Sequence, residues 1–194
     1  MRGRPIYPST PLSKALMLGL LALFAACQSS RSEPMPMKIL AQSSAPVTLG
    51  AGPAVASLAP TGKSLAAQLD ALPPGRSLYL AVRGLTATEQ PGVTYSVYLD
   101  LPPGAKPAGN DPRKVGILDF FNARPPGAPN APDAESPVNR DAEKLFFSFD
   151  ITQAARALRQ RGQLTERTTL TLIPDGAPVP TAKAVIGHLE LVEQ

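Results

Sequence analysis

The residues able to do chemistry in this chain are few. One cysteine, Cys27, and one histidine, His188, occur in 194 residues. A zinc or copper centre draws several imidazole or thiolate ligands from its protein, and one of each does not make a set. Met35-Pro36-Met37 offers two thioethers of the kind that hold Cu(I), but without a third ligand nearby they make a poor site. His188 with a serine and an aspartate would formally compose a nucleophilic triad. No serine, however, stands in a nucleophile elbow or another local signature of that chemistry. Acidic residues are scattered singly, without the spaced pair that glycoside hydrolysis uses, and no Gly-rich loop follows a strand to cradle phosphate. The expectation is a protein that is not an enzyme and takes no cofactor.

Cys27 has a setting of its own. Arg2, Arg4 and Lys14 precede it with no acidic residue, and Ala15 to Ala26 is an unbroken apolar run of 12 residues. A helix that spans a bilayer needs about 20 apolar residues, so this run suits the core of a cleaved export signal. A cysteine at the end of Leu23-Phe24-Ala25-Ala26 resembles the junction of a bacterial lipoprotein signal. That resemblance implies removal of residues 1–26 and lipid on Cys27. More than one acyl chain then holds the protein stably at a membrane. Gln28 follows the cysteine where an aspartate is associated with inner-membrane retention, so the expected location is the cell envelope, on the outer membrane. Phe24 departs from the leucine common three residues before such a cysteine.

The leader also corrects the charge. The whole chain carries +4, and the three leader cations leave +1 for the chain from Cys27 onward. No block of Lys and Arg remains as a nucleic-acid footprint, so no nucleic-acid partner is expected. With Cys27 lipidated, no thiol is left for a disulfide, and stability must come from packing.

Residues 27–44 are rich in Ser, Pro and Gln and read as a flexible tether. Residues 45–194 fit one domain by length. Val93, Tyr95, Val97, Leu99 and Leu101 alternate with polar or smaller residues, the period of a half-buried strand. Leu78 to Val82, Leu145 to Ile151 and Val185 to Leu191 repeat it. In the last of these, His188 lies on the face opposite Val185 and Leu189. Lys114 to Phe121 is apolar on both faces, as in a strand covered on both sides. Pro46 to Gly50, Ala54 to Leu58 and Thr168 to Ile173 complete a set, with Pro91-Gly92, Pro103-Gly104 and Asp175-Gly176 as turns. The fold class expected is mainly β, an antiparallel β-sandwich of about eight strands with one or two short helices. One helix is expected over Lys63 to Leu72. The other begins at Asp150, read as its N-cap with Gln153 completing a capping box, and stops at Gly162.

The succession of these pieces carries a resemblance. Pro46-Val47-Thr48-Leu49 and Ala54-Val55-Ala56-Ser57-Leu58 are followed by Leu78-Tyr79-Leu80, then by Val93 to Leu99 with Leu101-Pro102-Pro103-Gly104. After these stand Val115-Gly116-Ile117-Leu118-Asp119-Phe120-Phe121, Phe147 to Thr152, Thr169 to Pro174 and Ile186 to Leu191. In this order they resemble the C-terminal β-sandwich domain of bacterial tyrosinases and plant polyphenol oxidases. In that family the sandwich covers a helical type-3 copper domain, whose six histidine ligands have no counterparts here. The resemblance implies a stand-alone, membrane-anchored sandwich that covers, stabilises or helps mature a separately encoded tyrosinase-like copper oxidase. The alternative is an envelope lipoprotein that binds another protein or envelope component, because fold resemblance leaves function open. The proline-stiffened segment Asn122 to Arg140 is the expected partner-contacting loop or an idle one. The residues expected to face a partner are Phe120, Phe121, Arg124 and Arg140, with Phe120 and Phe121 read first as core.

Overall fold

A computed structural model describes residues 37–121, 123 and 146–194. Nine strands are found among them, all paired antiparallel. They are β1 (Lys38–Ser43), β2 (Val47–Thr48), β3 (Ala54–Pro60), β4 (Leu78–Thr86), β5 (Tyr95–Leu99), β6 (Lys114–Leu118), β7 (Phe146–Asp150), β8 (Thr169–Pro174) and β9 (Val185–Glu193). Helix α1 (Leu65–Asp70) lies between β3 and β4, and helix α2 (Thr152–Gln160) between β7 and β8. The strand order is β6-β5-β8-β3-β1-β9-β4-β7, with β2 on β9. The pairing of β1 with β3 joins two layers into one sheet, and the sheet curls until its end strands β6 and β7 approach each other. The mainly β, antiparallel class expected from the sequence is the one observed.

Local chemistry explains most of these elements. Leu80, Val82, Val97, Leu99, Leu170, Leu172, Leu189 and Leu191 are shielded from water and fill the space between the layers. The Ser64 hydroxyl accepts from Ala67 N–H at the start of α1, and Leu65 and Leu69 are its buried residues. The helix is shorter at both ends than Lys63 to Leu72. At α2 the N-cap is Ile151, not Asp150. Asp150 still serves the helix from one residue upstream, accepting from Thr152 N–H at 2.9 Å. The capping-box reading therefore has the wrong register. Ala155 and Leu158 point inward from α2, and Arg159 reaches across to Asp70 of α1 at 2.7 Å.

Further expectations need correction. The tether does not extend to residue 44, because Lys38–Ser43 is β1, inside the sheet between β3 and β9. A register shift between Ile39 and Ala41 buries Leu40 and Ala41 side by side, and that bulge erases the period-two pattern by which a strand is read. β5 is buried on both faces rather than one, since Ser96 and Tyr98 are as hidden as Val97. Its polar side is satisfied internally, with Thr94 and Ser96 hydroxyls donating to the two oxygens of Asp175 at 2.8 and 2.7 Å. Conversely, β6 is an edge strand with Ile117 half exposed, not a strand covered on both sides.

The inward alternation of β9 also changes phase at Gly187, so that Ile186 rather than Val185 enters the core. β4 changes phase opposite it, at Gly84, whose φ is +66°. A Cβ on Gly187 would stand 3.3 Å from the carbonyl oxygens of Arg83 and Gly84. The two backbones approach this closely because neither residue has a side chain.

Candidate binding groove

β5 is followed directly by Asp100, which turns the chain with a positive φ of 47°. That conformation suits Asp better than most non-glycine residues. Its side chain is buried and fully engaged. One carboxylate oxygen accepts from Thr169 N–H at 2.7 Å, the other from Thr165 N–H at 2.8 Å, while Asp100 N–H donates to Thr169 O at 2.9 Å. Asp100 thus fastens the end of β5 to the loop that leads into β8. The next residues form the turn expected from Pro103-Gly104: Ala105 N–H donates to Pro102 O, with Pro at the second and Gly at the third position. Gly104 has φ +74°, as a type II turn requires.

Between this turn and the loop of residues 162–167 lies an open groove of about 830 Å³. Its floor is the outer face of β3 and β8, where Val55 and Thr171 are paired neighbours and Ile173 follows. Pro53, Leu101, Pro102 and Leu164 make its walls largely apolar. Besides the engaged carboxylate of Asp100, one cationic side chain lies deep in it. Arg113 is held by the Asp111 turn, where Asp111 Oδ1 accepts Arg113 N–H at 2.8 Å, and its side chain is 16 % exposed. Its nearest acid contact is a 3.7 Å approach of Nη1 to that same oxygen. Nε is buried and has no hydrogen-bond partner among the described residues. Lys106 and Arg167 stand exposed at the rim. The arrangement can hold an apolar body and one anionic group.

The residues expected from sequence lie elsewhere. Phe120 is 2 % exposed and packs edge-to-face on Tyr95 with centroids 5.8 Å apart, so it belongs to the core and cannot face a partner. Phe121 is 78 % exposed. Its backbone is fixed, its N–H donating to Asp119 Oδ1 at 3.1 Å and its carbonyl accepting from Gln90 Nε2 at 2.8 Å. Cys27, Arg124, Arg140 and nearly all of the Asn122 to Arg140 segment lie outside the described residues, as does Met35. His188 is exposed opposite Arg83 on the outer face of β9. Arg83 itself pairs with Glu190 at 3.1 Å and lies over the Phe146 ring at 4.7 Å. Among the described residues no three His, Cys, Asp or Glu side chains gather as metal ligands. No helix among them is long and apolar enough to cross a membrane. The groove residues were missed because Asp100 and Arg113 carry no local motif. Only Pro102-Pro103-Gly104 was legible, and as a turn.

Residues 36–194 match the model of a family described as Domain of unknown function (DUF7868). The chain belongs to that family. The match begins just before β1, so this domain includes the strand that the sequence pattern conceals. No curated protein matches the chain. Solved structures that resemble it include polyphenol oxidases and a tyrosinase. A recombinant latent aurone synthase (polyphenol oxidase), co-crystallised with hexatungstotellurate(VI), shares 13 % identity at a TM-score of 0.43, over 75 % of this chain and 24 % of that one. Latent apple tyrosinase shares 13 % identity at 0.43, over 76 % of this chain and 27 % of that one. The chain therefore spans about a quarter of the length of these proteins.

Proposed function

We propose that this DUF7868 domain is a non-catalytic module of the bacterial cell envelope, anchored through lipid on Cys27, that accompanies a separately encoded tyrosinase-like copper oxidase. The order of strand motifs from Pro46 to Leu191 supports the choice of partner, and the leader ending in Cys27 supports the anchor. The observation that carries the reading is Phe121. A phenylalanine 78 % exposed on a backbone pinned by Asp119 and Gln90 is pre-organised for insertion into an apolar recess. Little entropy is lost when such a ring docks, and burying it contributes roughly 1.5–3 kcal/mol. Rigid aromatic anchors of this kind dominate protein interfaces.

The test is co-purification from detergent-solubilised membranes, with bound copper and catechol oxidation measured on the captured material. Wild type is expected to bring down a type-3 copper oxidase, and Phe121→Ala to lose it while melting at the same temperature. Absence of a copper oxidase from the wild-type capture, or equal capture by Phe121→Ala, overturns the reading.

A further inference from the structure

We propose that the groove between the Leu101–Lys106 turn and the 162–167 loop binds a small apolar molecule bearing one carboxylate, with the carboxylate on Arg113. This is independent of any copper-oxidase partner. A volume of about 830 Å³ falls in the range of small-molecule sites, roughly 300–1,000 Å³, which are mostly apolar with a few placed polar groups. The apolar body would lie along Val55, Leu101, Leu164 and Ile173.

The charge of the groove selects the head group. Its one acidic residue, Asp100, has both oxygens taken by backbone N–H groups of Thr165 and Thr169, so it does not neutralise Arg113. Asp111 Oδ1 approaches Arg113 only to 3.7 Å and already accepts a backbone N–H. A guanidinium on a side chain only 16 % exposed, with its Nε buried and unpartnered, carries a standing desolvation cost. A neutral ligand would leave that cost in place. A carboxylate matches the planar fork of the guanidinium and offsets it. Lys106 and Arg167 at the rim add charge of the same sign, which favours approach of an anion. A doubly charged phosphate would have to be desolvated against apolar walls with one deep cation to receive it, which favours the singly charged group.

The test is calorimetric titration of the chain from Gln28 onward, which contains the whole of the matched domain. Its probes are dodecanoate and 3-phenylpropanoate, with the corresponding alcohols and dodecyl phosphate as controls. Saturable one-to-one binding of at least one carboxylate is expected, and the responding probe distinguishes an alkyl from an aryl body. Arg113→Gln should weaken it roughly ten- to a hundredfold, as loss of a charged hydrogen bond predicts, with partial recovery in Arg113→Lys. The alcohols should bind weakly and ignore the Arg113 substitution. Val55→Trp, at a position 63 % exposed, fills the groove without touching the core and should abolish binding. That variant keeps the assignment testable if Arg113→Gln fails to fold. No saturation by either carboxylate up to about 1 mM, equal binding by folded Arg113→Gln, or full binding by Val55→Trp overturns the proposal. Tighter binding of dodecyl phosphate than of dodecanoate overturns the choice of carboxylate.

Discussion

Gly116 of β6 lies against the ring of Phe149 of β7 so closely that a Cβ on the glycine would fall 2.4 Å from Phe149 Cδ1. These two strands are the ends of the hydrogen-bonded path, and their approach closes the curled sheet by packing. A side chain at residue 116 must therefore either displace the ring or open the seam.

Gly116→Ala is expected to destabilise the domain by about 1–3 kcal/mol, the usual cost of overpacking. Denaturant unfolding measures it. Combining Gly116→Ala with Phe149→Leu should cost less than the sum of the two single changes, because the smaller side chain gives back the space. Additive losses would mean that the two residues do not share the seam.

Asp100→Ala removes the acceptor for two N–H groups and leaves a residue ill suited to φ 47°. A loss on the order of 2 kcal/mol or more is expected from the unpaired groups alone. Asp100→Asn keeps one acceptor oxygen and tolerates the backbone, so it should lose less. Urea midpoints of the three proteins give the ranking.

Burial pushes the Tyr95 phenol above its ordinary value of 10.0. In the unfolded chain the proton leaves near pH 10.0; in the folded protein it leaves only at higher pH. The folded state therefore holds the proton longer, and stability falls as pH rises above about 10. Tyr95→Phe should flatten that alkaline decline in a series of melting curves. At the acid end, the Arg159 guanidinium hydrogen-bonded to Asp70 holds its carboxyl below the usual 3.8. That contribution is complete above pH 3.8 and lost as pH falls through the lower folded value.

Cys27→Ser is expected to release the protein from membranes or to leave an uncleaved precursor. Fractionation with intact-mass measurement reads both. Unchanged membrane association together with unchanged processing would remove the lipid anchor.

The alternating strands, the turn at Pro103-Gly104 and the helix stop at Gly162 were legible because each depends on neighbours within a few residues. A period of two or a glycine with positive φ is a local property, and it survives in the sequence as a pattern. The tertiary structure alone decided which strands are covered and which residues meet. Nothing local marks Lys38–Ser43 as a strand, since its bulge breaks the period and its stability comes from β3 and β9. Phe120 and Phe121 are chemically identical neighbours beyond the end of β6, yet one packs on Tyr95 in the core and the other is exposed. Asp100 meets Thr169 across 69 positions, and Arg113 becomes a largely shielded cation with an unpartnered Nε only when the loops around β8 enclose it. Burial and partnership between distant residues are set by how the sheet curls, and no spacing along the chain encodes them.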